Sequence, residues 1–203
     1  YRFEVQELGG SLAKVDRIEW VWIPDVQTQV SALQSGEIDM LESPSLDMLP
    51  LLAKDKNIKL FDYNKLGNQY AFRFNTLAKP FDNPKIRYAV SVALGQEPFL
   101  KASIGDPNWY EVCKPMFVCG TPFATEEGMK DILNQNAAKA REILKEAGYD
   151  GTPIVLMQST DLGILTNMAP VAKQQLEAAG FKVDMQSMDW QTLVGRRTKK
   201  DPP

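Results

Sequence analysis

The region spanning residues 152–190 constrains the fold most, because it reads as two strands separated by a helix. The segments "TPIVLMQS" and "FKVDMQSMDW" have the alternation and the apolar content of strands. Between them, residues 167–179 fit a helix with Pro170 in its first turn and Gly180 at its end. A strand-helix-strand unit of this length joins parallel strands by a right-handed crossover, so the pattern predicts an α/β fold.

A second unit of the same kind is predicted near the start of the chain. "VDRIEWVWIP" and "IDMLE" read as strands, and a helix between them is capped by Asp25 and ended by Gly36. "NIKLFDY" and "QYAFRFN" are predicted as further strands. A short helix over "LDMLPLLAKD" is predicted with Asp47 as its N-cap and Pro50 in its first turn.

Asn83 and Pro84 together predict a sharp helix start, since Asn caps well and Pro suits the first helical position. We expect Asn75 to satisfy loop backbone groups and Arg87 to form a salt bridge or to cap carbonyls. The apolar face of the helix follows helical spacing and comprises Ile86, Ala89, Val90, Ala93 and Leu94.

Composition excludes several classes of function. The 203 residues include no histidine, which removes Ser-His-Asp and Cys-His nucleophile systems and every His-containing metal site. The net charge of −3 and the pI near 5.2 give no positive field for nucleic acid. Neither a metal nor a cofactor is expected.

The two cysteines, Cys113 and Cys119, lie in "CKPMFVCG" within a long irregular stretch, residues 105–128. Their spacing matches neither a zinc pattern nor a C-x-x-C redox motif. A small structural disulfide is the favoured interpretation, which indicates an oxidising compartment. Two buried free thiols in a cytosolic protein are the alternative.

Four blocks of the sequence, in order, are similar to one family. They are "VDRIEWVWIPDVQTQVSALQSGEIDM", "FRFNTLAKPFDNPKIRYAVSVAL", "AAKAREILKEAGYDG" and "QLEAAGFKVDMQSMDWQTLV". On these blocks the chain resembles the family 5 extracellular solute-binding proteins, the oligopeptide- and dipeptide-binding receptors of ABC importers. Gly95 and Gln96 depart from the family pattern, which usually has Asp-Arg there.

The resemblance implies a periplasmic-binding-protein-like two-lobed fold of type II, with mixed sheets flanked by helices and closure by a hinge motion. Residues 1–66 would be a portion of lobe I, and residues 67–203 the first part of lobe II. We expect the sequence to be an internal fragment that lacks part of the ligand cleft, from a precursor with a signal peptide.

The function implied by the resemblance is that of a periplasmic or membrane-anchored extracellular receptor. It would capture peptides or a similar small solute and deliver them to the membrane permease of an ABC importer. Such a receptor is not an enzyme, binds no nucleic acid and is expected to be a monomer.

Five residues are candidates for ligand contact. Trp190 matches the family's cleft tryptophan, and Arg73 lies on a strand where relatives carry a polar residue facing the ligand. Thr160, Asp161 and Leu162, in the loop "STDLG", follow a strand whose carboxyl end is a favoured ligand position. The alternatives are a core tryptophan, a solvated strand face for Arg73 and a plain Asp turn for the loop.

Two other functions remain open at the level of sequence. One is a cytoplasmic ligand-sensing domain of a transcription regulator with the same fold. The other is a thiol-disulfide exchange enzyme at Cys113 and Cys119, which lack the helix N-terminal setting that lowers a thiol pKa.

Overall fold

The computed structural model describes residues 14–199, which fall into two compact units, Tyr1–Asp62 and Tyr63–Pro203. The described part of the first unit is mostly irregular chain around two helices, α1 (Val26–Ser35) and α2 (Leu49–Leu52). The second unit contains helices α3 (Pro84–Ala93), α4 (Gln96–Ser103), α5 (Ala137–Glu146), α6 (Gly163–Thr166), α7 (Met168–Ala178) and α8 (Trp190–Arg197), and strands β1 (Ile154–Ser159) and β2 (Val183–Met188).

Helix α1 has the predicted boundaries because both ends are capped. The carboxylate of Asp25 accepts a hydrogen bond from the Thr28 amide at 2.8 Å. At the other end Gly36 adopts φ 76°, a left-handed conformation that glycine takes without steric cost. Val30 and Ala32 are the buried residues of this helix.

The predicted cap of α2 is wrong. Asp47 lies inside a single 3₁₀ turn, Leu46–Met48, and α2 begins two residues later at Leu49. The turn is closed by a backbone hydrogen bond from the Met48 amide to the Ser45 carbonyl. Pro50 still falls in the first turn of α2, where its missing N–H costs little.

Four predicted strands are absent from residues 14–199: "VDRIEWVWIP", "IDMLE", "NIKLFDY" and "QYAFRFN" have no strand structure. The first strand-helix-strand unit is therefore wrong, although its helix is present. Alternation assigns side chains to faces, but a strand also needs a neighbour for its backbone hydrogen bonds. In "VDRIEWVWIP" the large apolar side chains are exposed, Trp20 at 78% and Trp22 at 83%.

The second strand-helix-strand unit is confirmed. β1 and β2 form a two-stranded parallel sheet in which Ile154 is opposite Val183 and Ser159 is opposite Met188. α6 and α7 form the crossover, and Gly180 with φ 93° follows the end of α7. This part of the fold is α/β, as predicted.

The core of the second unit is formed by α3, α5, α7 and β1. α3 begins at the Asn83 cap, and the predicted apolar face is buried. Arg87 caps carbonyls, because its guanidinium donates to the Phe81 carbonyl at 2.6 Å, and Asn75 accepts the Leu77 amide at 3.1 Å. The buried cluster comprises Ile86, Ala89, Val90, Val92, Ala93, Leu94, Ala140, Leu144, Ile154, Ala172, Leu176, Ala179 and Phe181.

Candidate ligand-binding site

The carboxyl ends of β1 and β2 meet at one edge of the sheet, because the strands are parallel and in register there. The Thr160 amide donates to the Met188 carbonyl at 3.0 Å, which extends the pairing by one residue beyond β1. The loop 160–162 and the start of α8 consequently leave the sheet side by side. This edge is where open α/β sheets bind ligands.

Asp161 joins the loop to the start of α8. Its Oδ1 accepts hydrogen bonds from the Ser159 hydroxyl and from the backbone amide of Trp190, both at 2.8 Å. Thr160 and Asp161 are exposed, whereas Leu162 and Trp190 are partly buried. Four of the five predicted site residues are thus brought together on one surface.

Trp190 is the first residue of α8, and Asp189 is the local cap of this helix. The Asp189 carboxylate accepts the Thr192 amide at 2.9 Å and the Thr192 hydroxyl at 2.6 Å. The hydrogen bond from the Thr192 hydroxyl, and to a smaller extent that from the Thr192 amide, holds the pKa of Asp189 below its usual value. Trp190 is not among the buried residues of the core.

Arg73, the fifth predicted residue, lies beside the amino-terminal half of β1 and not at its carboxyl end. The neighbouring rings point into the second unit: Phe72 meets Phe99 edge-on at 5.7 Å, and Phe74 packs on Phe81 at 5.0 Å. Arg73 itself is exposed. It shares a small gap of about 60 Å³ with the β1 residues Ile154, Val155 and Leu156.

Strand geometry gives the distance along β1 between this gap and the loop. Leu156 and Thr160 are four residues apart, which corresponds to about 13 Å along an extended strand. Among residues 14–199, the carboxylates that form ion pairs do so with other cations, and none is paired with Arg73.

Of two cavities in the second unit, neither is a closed pocket at the candidate residues. The gap beside Arg73 holds at most two waters at about 30 Å³ each. A larger depression of about 290 Å³ lies away from the sheet edge, between the ends of α5 and α7, and is lined by Arg141, Leu144, Lys145, Tyr149, Ala179 and Gly180. The candidate site is thus an open surface of this unit, and residues 14–199 contain no cluster of three acidic or cysteine side chains suited to a metal ion.

The disulfide between Cys113 and Cys119 is present, with the Cα atoms 5.8 Å apart, and both cysteines are consumed by it. The alternative of two free thiols is wrong. The loop is docked by Gln96, whose side-chain amide donates to the Cys113 carbonyl at 2.6 Å and accepts its amide at 2.9 Å. Gln69 also donates to the Pro115 carbonyl at 3.2 Å.

Two polar residues with structural roles were missed by the sequence analysis. Ser159 is buried at 2% exposure and hydrogen bonds to Asp161, and Gln175 is buried at 4% and bonds to the Gly95 amide at 2.7 Å. The Ser-x-Asp spacing of the loop is a sequence signal that could have indicated the hydrogen bond between Ser159 and Asp161. Gln175 occupies a helix position without any local signal, because its partner is 80 residues away.

Comparison with known proteins gives the family directly. The model of the bacterial extracellular solute-binding proteins, family 5 (middle region), matches residues 1–203. The chain therefore belongs to the family 5 bacterial extracellular solute-binding proteins, a family of binding proteins and not of enzymes. The fold class and the family membership that were predicted from the four sequence blocks are confirmed.

Two curated relatives are similar over most of the chain. The probable peptide ABC transporter periplasmic-binding protein y4tO of Sinorhizobium fredii (strain NBRC 101917 / NGR234) is 36% identical over 196 residues, covering 95% of this chain and 37% of the relative. The glutathione-binding protein GsiB of Salmonella choleraesuis (strain SC-B67) is 31% identical over 179 residues, covering 88% and 34%. The chain thus spans about a third of the length of these relatives.

The fold is shared with solved solute-binding proteins. The ABC transporter substrate-binding protein CtaP of Listeria monocytogenes matches with a TM-score of 0.66 at 21% identity, over 84% of this chain and 34% of that one. The family is extracellular and y4tO is periplasmic, so the expected location outside the cytoplasm is confirmed. Residues 14–199 hold no helix that combines the length and the apolar character needed to cross a bilayer.

Proposed function

We propose that the complete protein is the solute-binding receptor of an ABC importer and captures peptides in a cleft between two lobes. The observation that carries the proposal is the surface at the carboxyl ends of β1 and β2, where Thr160, Asp161, Leu162 and Trp190 lie together. The names of y4tO and GsiB, a peptide and a glutathione receptor, support it. They favour a transport receptor over a sensor domain of a transcription regulator.

The ligand would lie along β1, between this surface and Arg73. The distance of about 13 Å from Leu156 to Thr160 equals the length of an extended segment of about four residues. An exposed guanidinium at one end suits a carboxylate, which Arg can bind through two parallel hydrogen bonds. The flat indole of Trp190 at the other end suits side chains of varied identity.

We further propose that residues 1–66 belong to lobe I and residues 67–203 to lobe II. The boundary between the two compact units, after Asp62, lies close to this division. The protein would act as a monomer that delivers its ligand to a membrane permease. The acidic net charge of −3 gives no reason to expect nucleic acid as a partner.

The proposal is tested by isothermal titration calorimetry of the complete protein with tri-alanine, tetra-alanine and glutathione. We expect saturable binding of at least one of these peptides with one site per chain. Arg73→Gln should weaken binding about tenfold or more, because a charge-assisted hydrogen bond is worth about 1.5–3 kcal/mol.

The control for Arg73→Gln is Arg17→Gln, which removes an exposed arginine from the other unit. Its affinity should equal that of the unaltered protein. C-terminally amidated tri-alanine tests whether Arg73 contacts the peptide carboxylate. It lacks the carboxylate, so it should bind more weakly than tri-alanine to the unaltered protein but equally well to Arg73→Gln. Absence of binding for all three peptides would contradict the proposed function.

A further inference from the structure

We propose that Asp161 is a positioning residue, whose carboxylate fixes Trp190 and the loop 160–162 as one preformed surface. The role of this surface in holding a ligand rests on the proposed function. The positioning itself concerns only contacts within the second unit and can be measured without a ligand.

The central contact spans 29 residues of sequence. Asp161 Oδ1 accepts the backbone N–H of Trp190 at 2.8 Å. This N–H belongs to the first turn of α8, whose amides have no partner within the helix. A carboxylate at this position also interacts favourably with the positive end of the helix dipole. Asp161 therefore determines where α8, and with it Trp190, begins.

Ser159 fixes the orientation of Asp161. The Ser159 side chain is buried, and its hydroxyl donates to Asp161 Oδ1 at 2.8 Å while its oxygen accepts the Leu162 amide at 3.3 Å. If Asp161 turned toward solvent, a buried hydroxyl would lose its acceptor, which is costly. The loop and the helix start are thus tied to one buried anchor on β1.

Asp189 and Asp161 divide the capping of α8 between them. Asp189 bonds the amide and the hydroxyl of Thr192, all within the helix's own first turn. Asp161 bonds the Trp190 amide from a separate element. Loss of Asp189 would loosen the first turn locally, whereas loss of Asp161 would detach that turn from the loop.

Farther along, Arg196 donates to the Gln186 side chain on β2 at 2.7 Å, which holds the rest of α8 on the sheet. Removal of the Asp161 contact should therefore free the first turn and leave the remainder of the helix in place. The expected consequence is greater mobility of Trp190 without unfolding.

Both hydrogen bonds at Oδ1 require an acceptor and not a charge. Asn offers a carbonyl oxygen of the same geometry, so Asp161→Asn should keep the contact and Asp161→Ala should abolish it. A carboxylate that paired with a charged group of the ligand would instead lose its effect equally in both variants. The pair of substitutions separates positioning from direct ligand contact.

The test uses the complete protein with Trp20, Trp22 and Trp109 changed to Phe, so that the fluorescence of the fourth tryptophan of residues 14–199, Trp190, is observed. Any tryptophan elsewhere in the complete chain is replaced in the same way. Acrylamide quenching and anisotropy are measured without ligand, and the Kd for tri-alanine is then determined. The matched control is Glu146→Ala, which removes an exposed carboxylate from the end of α5, away from α8.

We expect Asp161→Ala to lower the Trp190 anisotropy, to increase quenching, and to raise the Kd about three- to tenfold, the value of one hydrogen bond. Asp161→Asn should recover most of that loss, and Glu146→Ala should leave all three quantities unchanged. If Asp161→Ala folds poorly, as judged by circular dichroism, Asp161→Ser replaces it in the same comparison.

Unchanged quenching and anisotropy in Asp161→Ala would overturn the positioning role. Equal losses of affinity in Asp161→Asn and Asp161→Ala would also overturn it, in favour of a charged contact with the ligand. Failure of the unaltered protein to bind any peptide would count against the proposed function only, because the quenching comparison would still decide the role of Asp161.

Discussion

Gly95 lies where α3 ends and α4 begins, and there is no room for a side chain at this residue. A Cβ atom there would come within 2.8 Å of the Gln135 Cβ. The Gly95 amide is bonded to the buried Gln175 side chain at 2.7 Å, so the backbone cannot retreat freely. Glycine at this position, where the family usually has Asp, therefore allows Gln135 and α7 to pack closely against the backbone.

We predict that Gly95→Ala destabilises the protein by about 1–3 kcal/mol, the usual cost of overpacking. Gly195→Ala is the control, since nothing lies within 4 Å of its Cβ and it is inside a helix. That substitution should be neutral or stabilise by about 0.5–1 kcal/mol. Urea unfolding measures both, and equal midpoints for the two variants would contradict the packing argument.

Asp189 gives α8 a pH-dependent cap. The Thr192 hydroxyl, and then the Thr192 amide, lower the pKa of Asp189 in the folded protein below its usual value. A carboxyl with a lowered folded-state pKa stabilises above its unfolded pKa of about 3.9, and this stabilisation is lost as the pH falls through the folded-state value.

We predict that Asp189→Ala lowers the urea midpoint at pH 7, and that the difference from the unaltered protein begins to shrink below about pH 4 and disappears as the pH falls through the lowered folded-state pKa. Asp189→Asn keeps an acceptor at the cap and should lose less. A difference that persists unchanged into acid would show that the charged carboxylate is not what caps the helix.

At the scale of elements, residues 105–128 are largely irregular, and the disulfide between Cys113 and Cys119 holds part of this stretch in place. The bond closes a short loop, and Gln96 holds Cys113 by two hydrogen bonds, at 2.6 and 2.9 Å. Gln96, which occupies the position where the family usually has arginine, thus holds the loop against the start of α4.

We predict that the double substitution Cys113→Ser with Cys119→Ser destabilises by about 2 kcal/mol, from the loop-closure entropy of a loop of this size. Reduction of the unaltered protein with a dithiol should lower the free energy of unfolding, measured with urea, by about as much as the double substitution does. Gln96→Ala in the oxidised protein should cost less than either. No change on reduction would mean that packing alone maintains the loop.

Helices were predictable from sequence where the signal was local. Asp25, Asn83 and Gly36 mark helix ends, and each acts within a few residues of itself. The confirmed strands, β1 and β2, are those whose partner lies within the same short unit. The segment "QYAFRFN" alternates equally well, yet among the described residues it pairs with no strand, and alternation carries no information about a partner strand.

The candidate site was predictable in part for the same reason. The loop after β1 was found because the carboxyl end of a predicted parallel strand is a known ligand position. The contact between Asp161 and Trp190 was not, because a hydrogen bond across 29 residues leaves no local pattern. Arg73 was identified from the resemblance, because relatives carry a polar residue facing the ligand there, while its position beside the amino-terminal half of β1 required the structure.

At the scale of the whole molecule, the described surface would form one wall of the proposed ligand site. The sheet edge supplies Trp190 and the loop 160–162, and Arg73 lies along β1 from them. The gap beside Arg73 is about 60 Å³, far below the roughly 300–1,000 Å³ of ligand pockets. A receptor of this family would therefore enclose its ligand only with the rest of its chain.

The central claim is that this surface holds the ligand, and a crystal structure of the complete protein with a bound peptide tests it most directly. We predict that the peptide lies along β1, with the Trp190 indole in contact with it and its carboxylate paired to Arg73. A peptide bound elsewhere, with Trp190 and Arg73 remote from it, would contradict the account.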